Sequence, residues 1–292
     1  MNWQDIIHHI ESATRQPFKL TSAKPMAGGD INMAYRLQAE DLSYFVKLNR
    51  PDRLSMFEAE ASGLQALAQS RLLRVPEIIV CGKTDQHAFL VLEYIALNNL
   101  NGSSERLLGQ QLAQMHQQQQ AYFGWHRDNT IGSSTQVNGQ YSDWITFWQE
   151  QRLGHQLKLA ANNGYGGRLQ TQGEKLCANL KPLFSGYQPH PALVHGDLWG
   201  GNAAADERGN PVIYDPACYF GDRETDLAMT ELFGGFGQAF YDAYQAVYPL
   251  DSGYATRKTL YNLYHILNHL NLFGQGYLHQ AEAMTSRLLA EL

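Results

Sequence analysis

The chain has 292 residues, 44% hydrophobic and 17% charged, with 22 Lys+Arg against 28 Asp+Glu and a formal net charge of -6. That charge density is below the roughly 25% of an ordinary soluble domain, which excludes a disordered chain. The acidic balance also excludes a broad nucleic-acid surface, because affinity for phosphate backbones comes mainly from Lys and Arg.

Residues 3–14 carry Ile6, Ile7 and Ile10 on one face and predict a short helix. The period then shortens. Residues 18–26, 33–40 and 43–49 predict strands, the last through Tyr44-Phe45-Val46-Lys47-Leu48, whose β-branched and aromatic content suits a sheet. Gly28-Gly29-Asp30 and Glu40-Asp41 break this region. Helical spacing returns over 55–69 with Phe57, Leu64 and Leu67, and strands follow at 78–80 and 88–92. Past the turn-rich 98–104 the helical pattern dominates: 105–119, 142–161, 170–184, 223–233, 237–247, 255–273 and 276–291. Short strands near 192–195 and 211–215 interrupt it. The expectation is an α+β chain. A small β lobe over 1–97 joins a larger, mainly helical lobe over 98–292 through a connector near 93–103.

No uncharged apolar run reaches the roughly 18 residues of a membrane span. The first residues lack the basic cluster and apolar stretch of a secretory leader. Cys81, Cys177 and Cys218 are too few and too dispersed for a disulfide framework or a CxxC metal pair. A reducing, cytoplasmic location is expected, with neither nucleic acid nor membrane as partner.

The chemistry concentrates in Leu193-Val194-His195-Gly196-Asp197-Leu198-Trp199-Gly200-Gly201-Asn202. An apolar strand runs into His-Gly-Asp, and Asn202 follows Asp197 by five positions. A second strand, Val212-Ile213-Tyr214, ends in Asp215. The reading places two carboxylates and a carboxamide at the ends of two neighbouring strands. Phosphoryl transfer calls for such a set: one Asp to orient and deprotonate an attacking hydroxyl, and oxygen ligands for Mg²⁺ on the nucleotide phosphates. It also calls for a strand lysine on the phosphates and a helix carboxylate to hold that lysine. Lys47 sits mid-strand, and Glu58 and Glu60 lie on the following helix. Two residues apart, these glutamates face different ways, and Glu60 is favoured. Gly28 and Gly29 could turn over the phosphates, though two adjacent glycines more often make a plain hairpin.

These residues resemble the catalytic loop of the aminoglycoside phosphotransferase branch of the protein-kinase-like fold. Trp199 within that loop narrows the resemblance. So does Tyr214-Asp215-Pro216-Ala217-Cys218-Tyr219, continuing through Gly221-Asp222-Arg223-Glu224 to Asp226-Leu227-Ala228-Met229. Together they resemble the fructosamine kinase (ketosamine-3-kinase) family, and Lys47, Glu60, Leu108–Ala113, Phe123-Gly124-Trp125 and Gln151-Arg152-Leu153 fit in order. The resemblance implies a bilobal fold, with a small antiparallel sheet in the N-lobe and a helical C-lobe. It implies ATP, Mg²⁺ and transfer of the γ-phosphate to a sugar hydroxyl, typically O3, of a ketoamine or sugar-amine. By it, Asp197 is the catalytic base, Asn202 and Asp215 hold Mg²⁺, Lys47 contacts phosphate and Glu60 orients Lys47. Glu93, Tyr94 and Ile95 would hold the adenine through backbone groups. Trp199, within the loop, could stack on the sugar or its amine-borne group or equally pack under the loop.

Departures from protein kinases are plain. Asp215-Pro216-Ala217 stands in place of Asp-Phe-Gly, no long activation segment follows, and the glycine loop does not spell G-x-G-x-x-G. A protein-kinase substrate is therefore disfavoured. The alternatives are a kinase of another small alcohol (an aminoglycoside, choline or another sugar) and a nucleotide-binding pseudokinase. Oligomeric state is not set by the sequence. His265 and His269, four apart on a helix, lack further ligands for a metal site. His116 reads as structural, and Asp226 as a brace for the catalytic loop. The charge surplus is local: residues 195–231 hold eight acidic and two basic side chains, and the rest of the chain balances.

Overall fold

The structure is a computed structural model that describes residues 3–26 and 31–292. Gly28 and Gly29, expected at the phosphates, lie outside the described residues.

A five-stranded antiparallel sheet forms the first lobe, built from β1 (Ser22–Pro25), β2 (Met33–Gln38), β3 (Ser43–Asn49), β4 (Ile78–Lys83) and β5 (Ala88–Glu93), in the order β1-β2-β3-β5-β4. The two faces of β3 alternate, as the strand period requires. Val46 and Leu48 join Leu37, Phe89 and Val91 beneath α1 (Gln4–Thr14), whose Ile6, Ile7 and Ile10 close that side. Phe45 packs with the opposite cluster, where Phe57 and Leu64 of α2 (Leu54–Gln69) meet Leu90 and Leu92. Because both faces of β5 are covered, Ala88-Phe89-Leu90-Val91-Leu92 is buried throughout and reads as an unbroken apolar run. Lys47 shares the parity of Phe45 and therefore points toward α2.

The second lobe is mainly helical: α3 (Gly102–His116), α4 (Trp144–Phe147), α5 (Gly154–Asn162), α6 (Arg168–Ala178), α7 (Glu224–Leu232), α8 (Gln238–Val247), α9 (Tyr254–Phe273) and α10 (Leu278–Ala290). α3 starts on a capping box: the Asn101 side chain accepts the Ser103 and Ser104 N–H groups, and Ser104 Oγ accepts the Asn101 N–H. The helix expected over 142–161 contains a π turn at Trp148–Leu153 between α4 and α5. Arg152, fully buried on that turn, stacks over Phe147 and Tyr219 at 4.6 and 4.1 Å.

Short strands lie between the lobes and carry the chemistry. β6 (Asn129–Ile131) pairs with β7 (Ser134–Gln136), β8 (Ala192–Val194) with β11 (Tyr219–Gly221), and β9 (Ala203–Ala205) with β10 (Pro211–Ile213). The sequence reading paired the strands before Asp197 and Asp215 as neighbours. They belong instead to two separate ladders, and the loop β8–β9 faces the turn after β10. β6, β7, β9 and β11 were not expected. Each is three residues long, too short for an alternation to show.

Several contacts tie the sheet lobe and the connector near 93–103 to the helical lobe. Asn98 and Ala205 exchange backbone hydrogen bonds at 2.8 Å. Arg74 binds Glu93 at 2.7 Å and accepts the Ile213 N–H on its carbonyl. Arg127 meets Glu58 at 3.2 Å, and Gly63 packs on Cys218. No helix among the described residues is long and apolar enough to cross a membrane.

Candidate active site

Lys47 Nζ lies 2.7 Å from Glu60 Oε1 and also bonds Asp215 Oδ1. Glu60 falls on the inward face of α2 between Phe57 and Leu64, whereas Glu58 points outward to Arg127. The lysine is buried, which by itself disfavours its charge. The fields of Asp215 and Glu60 outweigh that and hold it as an ammonium, with its pKa above the ordinary lysine value. One cation thus joins the sheet lobe to the segment that follows β10.

Asp215 has φ 57°, a left-handed conformation that Asp tolerates better than most residues. Its carboxylate remains 42% exposed. Backbone strain at a reactive position is a common mark of function. Across the turn, Asn202 Nδ2 donates to the Asp197 carbonyl at 2.8 Å and to Asp197 Oδ2 at 3.1 Å. With its amide hydrogens so committed, Asn202 presents Oδ1 as a free oxygen donor. Asn202 Oδ1 and the Asp215 carboxylate are hard oxygen ligands of the type Mg²⁺ takes when phosphates and water complete its shell. The donor chemistry therefore fits that ion. Among the described residues, no cluster of three or more His, Cys, Asp or Glu forms a separate metal site.

Asp197 is half-buried, and its pKa is pushed up to about 7. Burial contributes most and the Asp215 charge adds to it, against the stabilising bond from Asn202. A carboxylate of that pKa is matched to general-base work near neutral pH.

The loop that presents Asp197 is held from three sides. His195 Nε2 donates to the Tyr214 carbonyl at 3.0 Å, and its Nδ1 accepts the Asp197 N–H at 3.2 Å. Both roles need a neutral ring, and burial keeps its pKa below the usual value. Gly196 has φ 81°, and a Cβ there would meet the Ala217 carbonyl at 2.2 Å, so glycine is required. Asp226, at the start of α7, accepts the His195 and Gly196 N–H groups at 2.7 and 2.8 Å. His116 Nε2 approaches the same carboxylate at 3.2 Å, its Nδ1 accepts from Tyr244 Oη at 2.9 Å, and Arg223 donates to that hydroxyl at 3.1 Å. Burial would raise the Asp226 pKa, but the hydrogen bonds it accepts from His116 and the Gly196 N–H hold it below the ordinary carboxylate value. The expectation of Asp226 as a brace agrees with this geometry. The full chain from Arg223 through Tyr244 and His116 was not visible in sequence, because it joins α3, α7 and α8.

At the connector, the Glu93 N–H is bonded to the Glu77 carbonyl at 2.8 Å and its carboxylate holds Arg74. Tyr94 and Ile95 have no backbone partner among the described residues. Arg36 stacks over the Tyr94 ring at 4.1 Å. A cavity of about 730 Å³ borders Glu93–Ala96, but its other walls include Arg74, Gln111, Asp206 and Pro211, and none of Lys47, Asp197, Asn202 or Asp215 lines it. Trp199 is 37% exposed beside Phe233, while Trp125, Trp144 and Trp148 are buried. Gly28 and Gly29 lie outside the described residues.

Comparison with known proteins gives the family. The family model described as fructosamine kinase matches residues 2–291. A Synechocystis protein named "Probable ketoamine kinase" is 47% identical over 288 residues, covering 98% of this chain and 97% of its own. The chloroplastic protein-ribulosamine 3-kinase of Arabidopsis thaliana is 44% identical over 262 residues, covering 89% of this chain and 80% of its own. A crystal structure from Haemophilus somnus, of a protein named "Putative fructosamine-3-kinase", superposes with a TM-score of 0.90 at 30% identity, covering 98% of this chain and 97% of its own. The chain belongs to the fructosamine kinase family, with the bilobal α+β fold of protein kinases and the phosphotransferase class of that family.

Proposed function

We propose that this kinase transfers the γ-phosphate of ATP to a sugar hydroxyl, O3, of fructosamine-type ketoamines, carried by free amino acids or by glycated protein lysines. The observation that carries the reading is the meeting of Lys47 with both Glu60 and Asp215, while Asn202 fixes the Asp197 carboxyl beside them. Relatives named ketoamine kinase and ribulosamine 3-kinase supply the acceptor class.

In this reading the sheet lobe, 1–97, holds the nucleotide and the helical lobe, 98–292, holds the acceptor. Backbone groups near Glu93, Tyr94 and Ile95 receive the adenine. Lys47 binds phosphate oxygens, and Glu60 keeps its ammonium aimed. Asn202 Oδ1 and the Asp215 carboxylate would hold Mg²⁺, which would offset the charge of the phosphates. Asp197 accepts the proton of the sugar hydroxyl as its oxygen forms the new bond to phosphorus and the bridging P–O bond breaks, releasing ADP. Such a transition state is loose, so the residues work by position and charge. Trp199 stacks on the sugar or on its amine substituent. A cytoplasmic setting supplies ATP and suits three free cysteines.

The test is a panel of acceptors incubated with ATP and Mg²⁺. Phosphorylation of fructosyl and ribulosyl amines, above the rate with choline, an aminoglycoside or a free sugar, is the expected result. Turnover confined to one of the latter would replace the ketoamine by that alcohol. ATP binding without transfer to any acceptor would favour a pseudokinase.

A further inference from the structure

A left-handed backbone at a residue other than glycine persists only where its surroundings hold it. At Asp215 that hold comes from the residues that follow, and buried amides grip them. In the β6–β7 hairpin Asn129 pairs with Gln136, so their side chains project from one face of the ladder. Gln136 Nε2 donates to the Ala217 carbonyl at 3.0 Å, and Asn129 Nδ2 donates to the Cys218 carbonyl at 2.8 Å. These carbonyls belong to the second and third residues after Asp215. Ala217 also touches the loop of Asp197. Its N–H bonds the His195 carbonyl at 2.9 Å, and its own carbonyl is the atom that admits only glycine at 196.

Every amide in this group has a fixed direction. A carbonyl can only accept, so the nitrogens of Gln136 and Asn129 must face the two backbone oxygens. Asn129 Oδ1 then receives Gln136 Nε2 at 2.9 Å and Asn138 Nδ2 at 2.8 Å. Asn138 Oδ1 in turn receives Arg152 Nη2 at 2.7 Å. A guanidinium can only donate, so the donors run one way, from Arg152 through Asn138 and Asn129 to the Cys218 carbonyl. Tyr264 Oη donates to Gln136 Oε1 at 2.7 Å and fixes the other end. All of these side chains are buried.

Arg152 is an expensive residue to bury for packing alone. Its remaining hydrogen bonds among the described residues go to the Val137 and Gln151 carbonyls, so its charge rests on neutral oxygens and on the rings of Phe147 and Tyr219. A cation at the head of a chain of donors strengthens each bond along it. It sits on a π turn, a break in helix geometry found most often at functional sites.

We propose that Arg152, Asn138, Asn129 and Gln136 are positioning residues, which hold the Asp215 carboxylate in its metal-binding direction through the 217–218 backbone. The inference rests on the reading of Asp215 as a ligand of Mg²⁺.

The test measures ADP binding by titration calorimetry with and without Mg²⁺, in the wild type, Gln136→Met and Tyr264→Phe. Met keeps the length of the side chain and loses the amide bonds. Tyr264→Phe removes only the hydroxyl that fixes the amide, and it carries the test should Gln136→Met fail to fold. The wild type should bind ADP more tightly with Mg²⁺. Gln136→Met should shrink that gain about threefold to tenfold, the size of one neutral hydrogen bond, and Tyr264→Phe should shrink it in the same direction. Metal-free ADP affinity should stay at the wild-type value in both. Thr285→Val removes a buried 2.7 Å hydroxyl bond within α10 and should leave the Mg²⁺ gain unchanged. An unchanged gain in the folded variants, a matching loss of metal-free affinity, or an equal loss in Thr285→Val would overturn the positioning role alone. No Mg²⁺ gain in the wild type would overturn the assignment of Mg²⁺ to Asp215, and this inference with it.

Discussion

Asp226 reaches back to accept the Gly196 N–H at 2.8 Å, a bond between residues 30 positions apart in the chain. Through it the start of α7 fixes the backbone that presents Asp197. The same carboxylate takes the His195 N–H and the His116 ring, so it holds three donors in a site with no water access. Replacing it by Asn puts an NH₂ against groups that are themselves donors. Asp226→Asn should lose about 3–5 kcal/mol of stability, as expected when a buried, bonded charge is removed. Turnover should fall with it. Thermal and urea denaturation check the first, and initial rates at a temperature where the variant is folded check the second.

The two glutamates of α2 should separate cleanly. Glu60→Gln removes the charged partner of Lys47, a buried charge-assisted bond of about 1.5–3 kcal/mol, and should lower kcat/KM on the order of tenfold to a hundredfold. Glu58→Gln removes only a partly exposed pair with Arg127 and should change rate and stability little. Steady-state kinetics of the two variants decide this. Equal losses would remove Glu60 from its assigned role.

Why this pair was legible is clear from geometry. A strand lysine and a helix glutamate each follow a regular period, so side-chain direction can be read from spacing alone. Asp226 was legible as an acidic residue in the first turn of a helix, where the helix dipole favours a carboxylate. Other features depend on contacts that have no period. The three-residue strands beside Asp197 exchange partners across separate ladders, which reverses the expected β8–β10 neighbourhood. The π turn at Trp148–Leu153 adds a residue to one turn, and the apolar spacing over 142–161 still looks helical. Glu93 is occupied because Glu77, on the way into β4, lies across from it. His265 and His269 read in sequence as satisfied or surface histidines rather than a metal pair, and the contact of His269 with Phe233, from another helix end, has no period that spacing could show.

The acidic surplus noted in 195–231 gives a pH dependence. Asp197 must be ionised to take the hydroxyl proton, and burial together with the Asp215 charge holds its pKa at about 7. Below that value most of the population is protonated and inactive. Turnover should therefore rise with pH, with log kcat/KM climbing about one unit per pH unit below neutrality and levelling above about pH 8. A profile flat from pH 5.5 to 8 would show that the carboxyl ionises in the ordinary range or that another group is the base.

The central claim is that Asp197 activates a ketoamine hydroxyl toward ATP bound with Mg²⁺. Mass detection of the product from a fructosyl-amine, ATP, Mg²⁺ and enzyme tests it directly, with Asp197→Asn run beside the wild type and nucleotide binding measured for both. The account predicts one added phosphate on the ketoamine with the wild type, and none with Asp197→Asn although that variant still binds ATP. Phosphorylated ketoamine at wild-type rate from Asp197→Asn, or none from the wild type, would contradict it.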